Sequence, residues 1–263
     1  MKSKRIWELD FLRGLSIILM VFDHLMYDLQ SLPYWFSNFF ILDRPVANFL
    51  YEAGHWYWNS ELRANFHFVF VAIFLLVSGI SYNFSRSNLK RGLRFTVVAL
   101  LITAITMGIQ IGFGVDIGIV FGIIHMFAIG TLLVWLFKKI WDNDAFIFIV
   151  GAFIIAYGFY FNFTEVPYYN TLDFPKLLEV IVGIKGYGAD HFGIFPYVGV
   201  IFIGTVLGKH LYQGKASLLP SWDKSWNKPF VFAGKYTLWI FVTHQIIIMA
   251  LVYIIGYISG FRI

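Results

Sequence analysis

Cysteine is absent from the 263 residues, which excludes disulfides, thiolate metal sites and a cysteine nucleophile. Charge is scarce. Asp, Glu, Lys and Arg make up 13% of the chain, against about 25% in an ordinary soluble domain. Three chemical signatures are missing as well: the Gly-x-x-x-x-Gly-Lys-Ser/Thr phosphate loop, the His-Glu-x-x-His metal helix and the Gly-x-Ser-x-Gly nucleophile turn. No metal site is therefore expected. The sequence shows no internal repeat and no low-complexity tract. Apolar residues, by contrast, are plentiful: 59% are hydrophobic and 21% aromatic, with a mean hydropathy of +0.72. Such a chain is a multi-span membrane protein. Its net charge of +5 does not point to nucleic acid, because the basic residues sit in short loops where membrane topology accounts for them.

Seven apolar segments have spanning length, at about 12–30, 66–84, 92–113, 118–137, 145–163, 192–211 and 235–259. The expected fold is all-α, with residues 1–263 forming one integral-membrane domain. Fourteen of the twenty Lys and Arg residues fall on one side of these spans and five on the other, with Arg13 inside the first. The positive-inside rule then places the N-terminus in the cytoplasm and the C-terminus outside the cell membrane. The opening MKSKR precedes a helix too long and too charged for a cleaved signal peptide, so it is read as leading into the first span. Two outer connections are long. Residues 31–65 are rich in aromatics, with an interfacial helix expected near 45–51, and residues 164–190 carry a short helix expected at 175–182. The inner connection 212–234 holds two prolines and two tryptophans and reads as a loop.

The stretch to explain is RIWELDFLRGLSIILMVFDHLMYDLQ, residues 5–30. It has spanning length, yet it carries Asp10, Arg13, Asp23, His24 and Asp28. A charge near the centre of a span costs about 2.5–3.5 kcal/mol on insertion scales, so these groups need partners or water. At about 100° per residue, Asp10, Arg13, His24 and Asp28 share an arc of about 60°, with Asp23 about 100° away from His24. A charged stripe with a histidine halfway along reads as the wall of a polar cavity. Asp28 lies one turn past His24, at the i,i+4 spacing by which a carboxylate holds an imidazole. A satisfied structural histidine is the plain alternative.

The phrase LDFLRGLSIILMVFDH, with Arg13 and then His24, resembles the opening motif of transmembrane acyltransferases. It is most similar to the heparan-α-glucosaminide N-acetyltransferase catalytic-domain family and its short bacterial relatives. FGIFPYVGVIFIGTVLGK (192–209) resembles that family's Pro-aromatic-Gly-Val span, and GKYTLWIFVTHQIII (234–248) resembles its last span with a central His. The resemblance implies acyl transfer, with acetyl-coenzyme A as donor and an extracytoplasmic sugar or glycan as acceptor. It also implies an essential role for His24, which a neutral imidazole could fill as general base. The segment GHWYWNS, read as a loop, resembles a His-x-x-Trp-Asn stretch of the family's animal member. That makes His55 a second candidate catalytic residue and Asn59 a candidate acceptor ligand.

The remaining site candidates each carry two readings. Asp10 and Arg13 are three residues apart and could simply pair, or Arg13 could reach a coenzyme A phosphate with Asp10 beside it. Arg86 and Arg91, read as part of a basic inner loop with Lys90 and Arg94, could hold the nucleotide's phosphates, although topology alone explains them. His244 sits at a depth close to that of His24 and could line the same cavity as a substrate ligand, or make an interhelical hydrogen bond. His125 has the same two readings. Asp190 could bind acceptor hydroxyls or cap the start of the 192–211 span. The expected partners are the bilayer and an extracytoplasmic carbohydrate, with no nucleic acid and with a homodimer as one assembly. The rival class is a proton-coupled transporter or channel using the charged stripe, against which stands the lack of duplicated halves. A catalytically dead scaffold is the third.

Overall fold

Long apolar runs with few prolines leave little besides helix for a backbone that must satisfy its own polar groups. In chain order the computed structural model, which describes residues 5–164 and 166–263, contains α1 (Trp7–Gln30), two single turns α2 (Leu32–Trp35) and α3 (Phe39–Leu42), α4 (Pro45–Trp58), and α5 (Glu61–Ile80). Next come α6 (Asn88–Phe113), α7 (Ile123–Ile140), α8 (Asp144–Tyr160), α9 (Phe174–Val182), α10 (Tyr197–Leu211), α11 (Lys228–Lys235) and α12 (Thr237–Ile258). Three isolated bridges occur and no β-strand forms among the described residues. The fold is all-helical. Four stretches are long and apolar enough to cross a membrane by length and composition: Glu61–Phe84 (α5 with the 3-10 turn that extends it), α6, α7 and α12. Two further helices, α8 and α10, are apolar but only 17 and 15 residues long. That gives each about 23–26 Å of rise, short of the roughly 30 Å hydrocarbon layer. At 24 residues α1 has the length, and its charges set it apart.

The chain packs as two compact units, one of residues up to Phe74 with Ser217–Ile263 and one of Leu75–Ala216. In the first unit α1 is the central element, packed against α4, α11 and α12. It starts at Trp7, earlier than the apolar run suggests, because Glu8 and Asp10 suit the positive end of a helix. Glu8 Oε1 also accepts the Leu218 N–H at 2.7 Å, and Trp7 Nε1–H donates to the Leu219 carbonyl at 3.1 Å. The α1–α11 contact is a backbone approach. A Cβ on Gly14 would collide with the Phe230 carbonyl, and one on Gly234 with the Asp10 carbonyl. Leu32, Phe36, Phe39 and Phe261 form a small aromatic core at the far end of α1.

In the second unit α7 packs against α6, and α10 packs against α8 and α7. The α8–α10 crossing is another glycine contact, with Gly199 against the Gly151 carbonyl and Gly151 against the Phe202 side chain. The apolar faces of α6 and α12 are largely uncovered; Val97, Leu101, Ile105, Trp239, Ile246 and Ile254 are all exposed. An apolar surface of that extent suits lipid rather than water.

Several expected boundaries move, each for a local reason. The span expected at 118–137 begins at Ile123, after Gly122 as N-cap. The one expected at 192–211 begins at Tyr197, after Pro196. The last one, expected at 235–259, is interrupted at Tyr236, which separates α11 from α12. Residues 228–235 are therefore helix where a loop was expected; Pro229 sits in the first turn, where its missing N–H does no harm. The interfacial helix expected at 45–51 extends to Trp58, and the one expected at 175–182 is α9.

Candidate active site

The histidines of α1 and α12 meet. His24 Nδ1 lies 2.6 Å from His244 Nε2, and the rings meet edge to edge, with centroids 4.9 Å apart and planes 22° from parallel. His244 Nδ1 faces the carbonyls of Phe241 at 2.7 Å and Ile240 at 3.2 Å, one turn back on α12. His24 is half-buried and His244 is buried.

The carboxylates flanking His24 are held elsewhere. Gln245 Nε2 donates to both oxygens of Asp28, at 2.9 Å each. The expected Asp28–His24 pair is thus replaced by a tie to α12, because Gln245 follows His244 and reaches across to the next turn of α1. Asp23, with its side chain 3% exposed, takes a bidentate pair from Arg63 Nε and Nη2 at 3.0 Å each. It also accepts from the Tyr57 hydroxyl at 3.2 Å. Neither Arg63 nor Tyr57 was picked out by sequence reasoning. The usable signal was Asp23 itself, a carboxylate in a span off the stripe, which had to find a cation on another helix.

At the start of α1, Arg13 Nη1 donates to Asp10 Oδ1 at 2.6 Å and approaches the Gly234 carbonyl at 3.5 Å, while Arg5 Nε lies 3.6 Å from Asp10 Oδ2. At the opposite end, past Asp28, a pocket of about 450 Å³ is lined by Tyr27, Gln30, Ser31, Tyr34, Trp35, Tyr51, His55, Trp58 and Asn59. His55 is a helical residue, on the last turn of α4, and not the loop residue expected from GHWYWNS. It is exposed, stacks on Tyr51, and has Nδ1 3.4 Å from Asn59 Nδ2, which donates to the His55 carbonyl at 2.8 Å. The Arg63 guanidinium lies over the Trp58 ring, 3.8 Å from its centroid.

The family model described as heparan-alpha-glucosaminide N-acetyltransferase, catalytic, matches residues 5–246. The chain belongs to that family. No curated protein and no solved structure matches it. As a heparan-α-glucosaminide N-acetyltransferase catalytic-family member, the chain carries membrane acetyltransferase activity in general. His24 falls near the start of the matched region and His244 near its end.

The family member's other site candidates lie in the second unit. Arg91 Nη2 donates to Ser78 Oγ at 3.0 Å and to the Ser78 carbonyl at 3.2 Å, which turns it along its own bundle. Lys90, Arg91 and Arg94 are on the first turns of α6, capped by Ser87, and not in a loop; Arg86 precedes the helix and is exposed. Asp190 does not cap the start of α10. Its Oδ2 accepts the Ile123 N–H at 3.1 Å, so it caps α7 from another part of the chain. Burial pushes its carboxyl up to about 6, with the Ile123 N–H holding it down in part. His125 is tied to its own helix start and to α6. Its Nδ1 accepts the Gly122 N–H at 3.3 Å, and Nε2 lies 2.9 Å from the Thr103 hydroxyl. Among the described residues no cluster of three or more His, Asp or Glu could hold a metal ion.

Proposed function

We propose that the protein transfers an acetyl group from cytoplasmic acetyl-coenzyme A to an extracytoplasmic sugar or glycan, with His24 as general base. The contact between His24 and His244 carries this reading. It supplies an imidazole that is already oriented, on the helix bearing the family motif. The acceptor amine or hydroxyl attacks the thioester carbonyl while the free His24 nitrogen takes its proton. The tetrahedral intermediate then expels the thiolate, and the imidazolium returns the proton to it. Asp28 acts at one remove, fixing α12 to α1 through Gln245.

The seven apolar segments serve as seven spans of one membrane domain, with the N-terminus cytoplasmic and the C-terminus outside, by the distribution of Lys and Arg. Under that orientation Asp10 and Arg13 lie toward the donor side, where Arg13 meets a coenzyme A phosphate, and the distribution of Lys and Arg also assigns Arg86 and Arg91 to the cytoplasmic side. The pocket beyond Asp28 lies toward the acceptor side. Its aromatic faces and its amide groups, Gln30 and Asn59, suit a pyranose ring and its hydroxyls. His55, exposed and without a short orienting contact, serves there as an acceptor ligand rather than the base. Purified wild-type protein and His24→Ala are compared for transfer from acetyl-coenzyme A to an amino sugar. Loss of transfer with donor binding retained is expected, and wild-type turnover by His24→Ala removes the base assignment. Proton flux through reconstituted vesicles without thioester turnover would replace the enzyme by a carrier.

A further inference from the structure

The two ring contacts of His244 determine where the protons of the pair sit. A carbonyl oxygen can only accept, so the His244 nitrogen facing Phe241 at 2.7 Å and Ile240 at 3.2 Å, Nδ1, carries hydrogen. Neutral His244 then has a bare lone pair on Nε2. His24 Nδ1, 2.6 Å away, must supply the hydrogen between the rings. A neutral imidazole has one N–H, so the remaining lone pair of His24 is on Nε2. No carboxylate competes for this role, since Asp23 is occupied by Arg63 and Tyr57, and Asp28 by Gln245.

We infer that His244 is a positioning residue that locks His24 into its Nδ1–H tautomer and so directs the basic Nε2 toward the reacting groups. The hydrogen-bond chain runs one way, from His24 Nδ1–H to His244 Nε2 and from His244 Nδ1–H to the α12 backbone. It has a further consequence. With a hydrogen on Nδ1 of each ring, the pair has room for one added proton, on His24 Nε2. A second, on His244 Nε2, would set two N–H groups against each other. The arrangement is thus matched to a single proton taken from the acceptor and returned to the thiolate. This inference refines the base assignment under Proposed function, and its test is separable from it.

Protein carrying 15N-histidine, reconstituted in lipid nanodiscs at pH 8, gives ring-nitrogen NMR signals that distinguish the two neutral tautomers. The His24 signals are assigned by their loss in His24→Gln. The expected result is Nδ1–H on His24 in the wild type, retained in His244→Gln, whose side-chain carbonyl still accepts, and lost or mixed in His244→Ala. In acyl transfer, kcat should fall by about 100-fold or more in His244→Ala with KM for donor nearly unchanged, the scale seen when an orienting partner is removed. His244→Gln should recover most of it. A wild-type His24 found as Nε2–H, or a tautomer indifferent to His244→Ala, overturns the inference. If His244→Ala does not fold, the wild-type and His244→Gln spectra decide. Should His24→Ala stay active while the tautomer is as expected, the base assignment fails and the locking contact stands.

Discussion

Removal of Arg63 is the most direct test of how the site is held. Asp23 is 3% exposed and Arg63 20%, and the two side chains meet through a pair of 3.0 Å contacts. With about 4 Å between charge centres and an effective dielectric near 20, their attraction is about 4 kcal/mol. Truncating one partner leaves the other desolvated and uncompensated, which costs about 3–5 kcal/mol. Arg63→Ala also loses its stacking on Trp58, worth about 0.5–2 kcal/mol. At about 2–4 °C per kcal/mol for a chain of this size, Arg63→Ala should melt about 7–28 °C below wild type. The double variant Asp23→Asn/Arg63→Gln removes both charges and keeps hydrogen-bonding groups, so it should recover most of that loss. Thermal unfolding in detergent, followed at one scan rate by the retained monodisperse fraction, measures wild type, Arg63→Ala, Asp23→Asn and the double variant. A single variant within about 2 °C of wild type, or losses that simply add in the double, would refute the buried-pair argument.

The other predictions rest on separate contacts. Gly234→Val forces a side chain into the Asp10 carbonyl and should lower stability by about 1–3 kcal/mol or more, whereas Gly112→Ala, in open space on α6, should be tolerated; side-by-side melting checks the contrast. Gln245→Leu removes the amide nitrogen that donates to both oxygens of a buried carboxylate, so a loss of about 1.5–3 kcal/mol is expected, and an unchanged melting curve would show that Asp28 needs no partner. The Asp190 carboxyl, raised by burial to about 6, favours folding while protonated; its contribution is full below about pH 4 and is lost as pH rises through about 6. Wild type should therefore lose up to about 3 kcal/mol relative to Asp190→Asn between pH 4 and 7.5, less whatever water at its half-buried face screens. A stability difference that does not vary with pH would contradict this. Trp58→Ala should raise KM for acceptor about 2–10-fold with donor KM unchanged, and an effect confined to the donor would move the acceptor away from the pocket.

Fold class was legible from composition because a backbone in lipid has few options: long apolar runs with little charge must become helices. The charged stripe of α1 was legible too, since a 3.6-residue repeat places Asp10, Arg13, His24 and Asp28 on one face whatever lies opposite. What lies opposite was not. Whether Asp28 holds His24 or Gln245 depends on the rotation of α12, which lies more than two hundred residues away in sequence and whose own apolar pattern is nearly uniform around its axis. Likewise α11 read as part of a loop, because the connection 212–234 carries two prolines, and only the Gly14–Gly234 approach to α1 makes its eight residues a packing surface. The cap that Asp190 gives α7 joins segments 67 residues apart, and no local rule names such a partner. By itself the sequence determined which residues could be polar inside a helical bundle, since that follows from spacing along one chain. Only the tertiary structure decided which of them meet, because partner choice depends on how helices turn toward one another, and apolar helices leave that turn to packing.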